Sequence, residues 1–333
     1  MDQSVVSDKL NHTEPMQGWL RWLIPLLIVA LAAFLRLYRL GEVPPAFNFD
    51  EAAHATDAVD ILAGHHFIFS PKLGGVEAFY MYVVAGAFYL LGPTPYAQRL
   101  VSALVGIATI WTTYLMVREM FADETESRRT WLAALTALGL ATSFWHLNYS
   151  RIGFEVGMVP LFATLSFYFL WRGLRSGKAW DYAISGAWMG LGPYTHLPAR
   201  FLPLPVVLFF VIRWLSSLRS TESARRSFWD HVWQSFRPLV IVGGAALIVF
   251  APLAYHFISY PADFLGRASA TNILNPAMTK GDLWGTLARS VLGTFGAFGF
   301  TSDHNWLANL PGKSILNPVL AGLFWLGVLL TLL

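Results

Sequence analysis

Long apolar runs, separated by short polar segments, occupy most of this chain of 333 residues. A helix that crosses the hydrocarbon core of a bilayer needs about 20 mostly apolar residues. The pattern therefore predicts an all-α protein, a polytopic transmembrane bundle with about eight membrane-spanning helices. The predicted spans are residues 19–37, 100–117, 131–147, 156–171, 182–194, 201–218, 238–257 and 315–333.

A ninth apolar stretch, residues 78–91, is short for a span, and the charges of the loops decide its place. Lys and Arg in short loops favour the cytoplasmic side. If residues 78–91 do not cross, all the basic loops share one side, so we predict a re-entrant or interfacial helix there. The basic residues are Arg118, Arg128, Arg129, Arg172, Arg175, Lys178, Arg213, Arg219, Arg225, Arg226 and Arg237.

This orientation divides the chain into a cytoplasmic tail, residues 1–18, and one transmembrane domain, residues 19–333. The first extracytoplasmic loop covers about 38–98 and the last about 258–314. We expect a multi-pass protein of the plasma or inner membrane. The sequence ends at Leu333 inside an apolar run, which predicts that a longer protein continues beyond it.

Composition excludes several other classes of protein. Apolar residues make up 55% of the chain and charged residues 13%, against about 25% charged in soluble domains. The net charge of +3 gives no reason to expect a nucleic-acid partner, and the absence of cysteine excludes disulfides and thiolate chemistry. Membrane lipids are the expected surroundings.

Two adjacent acids, Asp50 and Glu51, follow Pro44 and Pro45 just outside the first predicted span. Asp50 suits the N-cap of a helix over residues 52–63. A carboxylate at that position stays ionised near the helix dipole and can act as a general base for a hydroxyl acceptor. The alternative is a cap and a first-turn acid on a solvated helix.

The same predicted helix carries His54, Asp57 and Asp60 at spacings of three and four residues. This spacing leaves a divalent metal site open as a hypothesis, and no cofactor is certain. A solvated helix face is the simpler interpretation.

Basic residues of the first loop are candidates for binding a phosphate at the headgroup level. Lys72 and Glu77 precede the interfacial helix, and Arg99 follows it at the mouth of the second span. Glu77 is a candidate partner for Lys72. Interfacial snorkelling of the cations is the alternative interpretation.

The later outer loops hold further substrate-binding candidates. Arg151 and Glu155 lie four residues apart between two spans, where a structural salt bridge explains them equally well. His196 and Arg200 lie in the third outer loop, where either can be a plain interface anchor. The fourth loop adds the polar residues Asp303 and His304, in a segment that also reads as an ordinary loop.

The order of these motifs resembles the GT-C glycosyltransferases, in particular the phospholipid-carrier-dependent branch related to protein O-mannosyltransferases and aminoarabinose transferases. The resemblance covers residues 19–333, nearly the whole chain. It depends on the joint order of four short motifs. These are Asp50-Glu51, Gly75-Val76-Glu77, the segment Arg99 to Gly106, and Tyr149-Ser150-Arg151.

The resemblance implies that a sugar moves, with inversion, from a polyprenyl-phosphate carrier to a lipid, glycan or protein acceptor outside the cytoplasm. It gives Asp50, with Glu51 beside it, the role of base or acceptor-positioning acid. It gives Lys72, Arg99 and Arg151 the role of binding the carrier phosphate.

Two segments depart from the pattern of the resembling family. Val76-Glu77-Ala78 stands where relatives often have a run similar to Arg-Glu-Pro or Lys-Pro-Pro. Val156 stands where they have a second-loop Asp, with Glu155 one place earlier.

Two other classes remain open on the sequence. A transporter or lipid flippase would carry charges near the middle of its spans, whereas these charges gather at the outer rim. A catalytically silent scaffold would not need Asp50. The chain has no glycine-rich nucleotide loop, which disfavours a nucleotide-sugar donor.

The predicted orientation can be tested by labelling a single cysteine in this cysteine-free chain. Ser127→Cys lies in a predicted cytoplasmic loop, so a membrane-impermeant thiol reagent should label it only after the membrane is opened. Labelling of intact cells would contradict the orientation.

Overall fold

The computed structural model describes residues 18–218, 228–271, 273–301 and 312–332. Helices account for most of these residues, and one two-stranded antiparallel pair, β1 (Phe69–Ser70) and β2 (Val76–Glu77), lies in the first outer loop. The helices are α1 (Leu20–Leu37), α2 (Phe49–Leu62), α3 (Phe79–Leu91), α4 (Pro95–Met120), α5 (Glu126–Thr142), α6 (Phe144–Tyr149), α7 (Met158–Ser176), α8 (Ala179–Leu191), α9 (Pro203–Ser217), α10 (Phe228–Ser259), α11 (Pro261–Thr271), α12 (Pro276–Thr279), α13 (Leu283–Ala297) and α14 (Pro318–Leu332).

The predicted all-α membrane class is confirmed. Among the described residues, four helical segments are long and apolar enough to cross a bilayer: Leu20–Leu37, Pro95–Met120, Leu197–Ser217 and Trp229–Ser259. The other four predicted spans are also helical, as α5, α7, α8 and α14, but are shorter or less apolar. Eight crossings therefore remain a prediction.

Small residues let the helices approach closely. Ala133, Ala137 and Ala141 on α5 are buried against Ile110 of α4 and Ala32 of α1. Without a hydrophobic driving force between helices in lipid, such close van der Waals contact is the main source of association. Helix α4 also packs along α7, which packs along α8, and α8 packs along α10.

The segment predicted as the first outer loop folds over one end of this bundle, which is called the outer end after that prediction. Its second helix, α3, buries Tyr80, Met81 and Val84 against α2 and α4 and exposes Tyr89 and Leu90. A short helix with one buried and one exposed face agrees with the interfacial helix predicted over residues 78–91. Its position relative to the membrane stays a prediction.

The start of α2 differs from the sequence prediction. Asn48, not Asp50, is the N-cap: its side chain accepts the N–H of Glu51 at 2.8 Å, and Glu51 accepts the N–H of Asn48 at 3.1 Å. This reciprocal capping box fixes the helix start at Phe49, three residues earlier than predicted. Asp50 is therefore left as a first-turn acid with no capping bond.

The packing of α8 on α10 generates a stability prediction. A Cβ atom added at Gly186 would overlap the carbonyl oxygen of Val242, whereas one added at Gly243 would meet nothing within 4 Å. Overpacking costs about 1–3 kcal/mol. Gly186→Ala should therefore lower the thermal unfolding midpoint of the purified protein, and Gly243→Ala should not. Equal midpoints for the two variants would contradict this helix contact.

Candidate active site

A buried ion pair between Glu51 and Arg99 joins α2 to the first turns of α4. The Glu51 side chain is fully buried, and its Oε1 accepts Arg99 Nε at 2.9 Å and the N–H of Gly153 at 2.8 Å. Its Oε2 accepts Arg99 Nη2 at 3.2 Å and the N–H of Asn48. Each carboxylate oxygen thus accepts two hydrogen bonds. The arrangement fixes the orientation of Glu51.

The remaining donors of Arg99 hold the segment that leads into α2. Its Nη1 donates to the carbonyl of Pro44 at 2.7 Å, and its Nη2 donates to the carbonyl of Ala46 at 2.6 Å. Only 2% of the side chain is exposed. Arg99 is one of the predicted phosphate ligands, and here the protein itself occupies all three of its guanidinium nitrogens.

Gln98 completes this junction from the neighbouring position on α4. Its amide nitrogen donates to the carbonyl oxygens of Glu51 at 3.0 Å and Gly153 at 2.9 Å. A Cβ atom at Gly153 would lie 2.6 Å from the Gln98 side chain. The second outer loop can therefore approach α4 this closely only because residue 153 is a glycine. Sequence reasoning gave Gln98 and Gly153 no role.

Asp50, the predicted base, differs sharply from its neighbour. Its side chain is half-buried, and within the described part of the chain it makes no hydrogen bond or ion pair. It lies in the first turn of α2, where the helix dipole stabilises an anion. The structure therefore holds one carboxylate rigidly at Glu51 and leaves the adjacent one available.

A second buried carboxylate, Glu155, lies between two imidazoles. Its Oε2 is 3.2 Å from His54 Nε2 and its Oε1 is 2.9 Å from His196 Nδ1. Burial by itself raises the pKa of Glu155. The contact with His196, the charges of both imidazoles and a backbone hydrogen bond outweigh burial and lower that pKa. Glu155 is therefore held as an anion.

The cluster of His54, Asp57 and Asp60 is not the solvated face that the sequence favoured. His54 and Asp57 are buried, because α2 turns this face inward. Lys72 Nζ lies 2.7 Å from Asp57 and 3.0 Å from Asp60, so it bridges two acids. The described residues contain no group of three or more His, Cys, Asp or Glu side chains placed to hold a metal ion.

Glu77 pairs with Arg200, and the predicted partnership between Glu77 and Lys72 is wrong. Arg200 Nη2 donates to Glu77 at 2.6 Å, which ties the first outer loop to the third. The guanidinium also lies over the rings of Phe257 and Phe264, at 4.8 and 4.7 Å from their centres. Its Nε is buried with no hydrogen-bond partner.

Arg151 does not pair with Glu155, despite their four-residue spacing. The segment between them is not a regular helix, and the guanidinium reaches back to the end of α1. It donates to four carbonyl oxygens at 2.7–3.1 Å, those of Leu35, Arg36, Tyr38 and Val43. Arg151 thus caps the C-terminus of α1.

The remaining two candidates, Asp303 and His304, lie outside the described residues. The other predicted site residues converge at the outer end of the bundle, where α2, the β1–β2 hairpin and the second and third outer loops meet. Sequence reasoning treated His54 only as a metal ligand or a solvated residue. Its position four residues after Asp50 was the available signal that the two share a helix face.

A family model described as dolichyl-phosphate-mannose-protein mannosyltransferase matches residues 78–256, more than half of the chain. The match begins after Asp50 and Glu51 and includes Arg99, Arg151, Glu155, His196 and Arg200. No curated protein matches the sequence.

The structure is similar to a chain in "Structure of S. cerevisiae protein O-mannosyltransferase Pmt1-Pmt2 complex bound to the sugar donor". The TM-score is 0.57 at 17% sequence identity, over 73% of this chain and 34% of that chain. At this identity the similarity establishes the fold alone. This chain spans about a third of the length of the yeast one.

The buried Glu51–Arg99 pair can be tested by breaking it. Removing one partner of a buried pair costs about 3–5 kcal/mol, because the other charge is left unpaired. Arg99→Met should therefore lower the thermal unfolding midpoint far more than Arg128→Met, which breaks the exposed pair with Glu124.

A double variant provides the control for this prediction. Glu51→Leu combined with Arg99→Met removes both charges and should recover part of the stability lost in Arg99→Met alone. Equal midpoints for Arg99→Met and Arg128→Met would contradict the structural role of the pair.

Proposed function

The chain belongs to the dolichyl-phosphate-mannose-protein mannosyltransferase family, and from that premise we propose that it is a membrane glycosyltransferase with a lipid-phosphate-linked sugar donor. The proposed reaction moves the sugar to an acceptor hydroxyl on the extracytoplasmic side, with inversion at the anomeric carbon. The acceptor is a protein, glycan or lipid. The observation that carries the proposal is the free carboxylate of Asp50 beside the locked carboxylate of Glu51.

Asp50 is the proposed general base. A base must come within reach of the acceptor hydroxyl, and Asp50 lies half-buried in the first turn of α2 with no protein group bound to its carboxylate among the described residues. Glu51 is proposed as a positioning residue, because its four contacts fix the helix turn on which Asp50 sits. Glu51, which is bound by protein donors, thus orients Asp50, which contacts the acceptor in the proposed reaction.

The carrier phosphate needs cationic donors. Arg99 and Arg151 donate to protein acceptors and Lys72 bridges two acids, so we assign these three to building the site. We propose Arg200 as a phosphate contact instead, because its buried Nε has no partner and can serve an incoming oxygen. Glu77 then orients Arg200 through their ion pair.

The proposed site lies on the side opposite the basic loops, which makes it extracytoplasmic in a plasma or inner membrane. The competing function, a transporter or lipid flippase, is less well supported. Most buried acids and cations of the described residues cluster at the end that carries Glu51, and Glu119 and Asp181 lie near helix ends on the opposite side, so they do not form a path along the middle of the candidate spans.

The role of Asp50 can be tested by its amide variant. Asp50→Asn keeps the shape and loses the base, so release of dolichyl phosphate from dolichyl-phosphate mannose should fall by about 100-fold or more. The measurement uses the full chain, purified in detergent or nanodiscs, with a Ser/Thr-rich peptide as acceptor. The thermal unfolding midpoint should stay within a few degrees, because the Asp50 side chain has no hydrogen bond or ion pair to lose among the described residues.

Asp123→Asn is the matched control, since Asp123 is an exposed acid on the predicted cytoplasmic side. It should leave turnover unchanged. The sugar and the acceptor are unknown, so the assay is repeated with a panel of polyprenyl-phosphate sugars. A reaction without peptide measures transfer of the sugar to water. Full turnover by Asp50→Asn would refute the base assignment, and translocation of the carrier by a wild-type protein without any release would favour the flippase.

A further inference from the structure

The Glu155 cluster consists of one buried carboxylate and two imidazoles, and neighbouring groups must balance the negative charge of the carboxylate. Glu155 is 1% exposed, and the charged or titratable groups in contact with its carboxylate are His54 and His196. Of the nearby arginines, Arg151 binds carbonyl oxygens and Arg200 binds Glu77. An ionised carboxylate removed from water needs a compensating cation. In this cluster the groups placed to carry that charge are the two imidazoles.

The two imidazoles differ in their surroundings. The His54 side chain is fully enclosed. The ring centres of Tyr80 and Phe154 lie 5.6 and 5.8 Å from the centre of the His54 ring. His196 is 14% exposed and contacts the same Phe154 at 6.2 Å. His196 is therefore the imidazole of this pair whose ring reaches the open side of the cluster.

His196 uses one ring nitrogen on Glu155 and keeps the other available. Nδ1 lies 2.9 Å from Glu155 Oε1, an ion-pair contact without aligned hydrogen-bond geometry, whereas Nε2 has no partner among the described residues and is not enclosed. The extended backbone of His196 precedes the 3₁₀ turn Leu197–Phe201, which carries Arg200. An imidazole beside a buried carboxylate and a guanidinium therefore lie four residues apart in the third outer loop.

We propose that His196 is a catalytic acid that hydrogen-bonds to, and protonates, the departing carrier phosphate, with Glu155 holding it as the imidazolium. The inference rests on the proposed glycosyl transfer and assigns a role that Asp50 cannot fill, since a base that receives the acceptor proton cannot also supply one to the leaving group. His54 is a positioning residue that closes the cluster behind Glu155.

The step balances in atoms and charge. The acceptor oxygen forms a bond to the anomeric carbon while the bond from that carbon to the phosphate oxygen breaks, and its electron pair goes to the phosphate. The acceptor proton passes to Asp50, and the Nε2 proton of His196 passes to the phosphate oxygen. Afterwards Asp50 returns its proton to water and His196 takes one up, which restores both groups.

The test removes the imidazole and supplies it again from solution. His196→Gly should lower turnover of dolichyl-phosphate mannose by roughly 100-fold, the usual contribution of a positioned acid. Added imidazole at millimolar concentration should restore a measurable part of this loss, and KM for the donor should change far less than kcat. A merely structural histidine would give neither rescue nor this split.

His65→Gly is the matched control, because His65 is an exposed histidine of the first outer loop. It should retain wild-type turnover and should not respond to imidazole. His196→Gln should share the loss without rescue, which keeps the test valid if the glycine variant folds poorly.

The outcomes separate the two proposals. An active wild-type protein whose His196 variants turn over normally, or whose loss is unaffected by imidazole, would overturn this inference alone. A wild-type protein inactive with every polyprenyl-phosphate sugar would overturn the proposed function, and the inference with it.

Discussion

The buried ion pair between Glu51 and Arg99 is the interaction on which the outer end of this protein depends. It connects three segments that are distant in sequence: the start of α2, the first turns of α4 and the second outer loop at Gly153. A buried pair is stable only when its remaining lone pairs and protons are satisfied. Here capping by Asn48 and donation to Pro44 and Ala46 meet that condition, so the pair sets the geometry of the whole junction.

The pair also explains how two adjacent acids acquire different properties. Glu51 points into the bundle and is held by four donors, whereas Asp50, one residue earlier on α2, has no partner in the described structure. The proposed chemistry needs this difference, because a base must be free to meet a substrate yet fixed in position. The same logic recurs at Glu155, where a buried carboxylate holds His196 with one ring nitrogen still accessible.

The fold was largely predictable because hydropathy and loop charges are strong, local signals. The site was predictable only in part. Residue types identified the acids and cations, but pairing depends on which segments meet in space. Lys72 reaches two acids that lie one turn apart on α2, and Arg200 reaches Glu77 across 123 residues. Gln98 and Gly153 act through backbone carbonyls and close approach, for which a single sequence contains no pattern.

The most direct test is an experimental structure of the full chain with dolichyl-phosphate mannose bound. The account predicts that Arg99 keeps its contacts with Glu51, that the Asp50 carboxylate faces the anomeric carbon, and that Arg200 and His196 lie against the carrier phosphate. A structure in which Arg99 leaves Glu51 to bind the phosphate, with Asp50 turned toward bulk solvent, would contradict it.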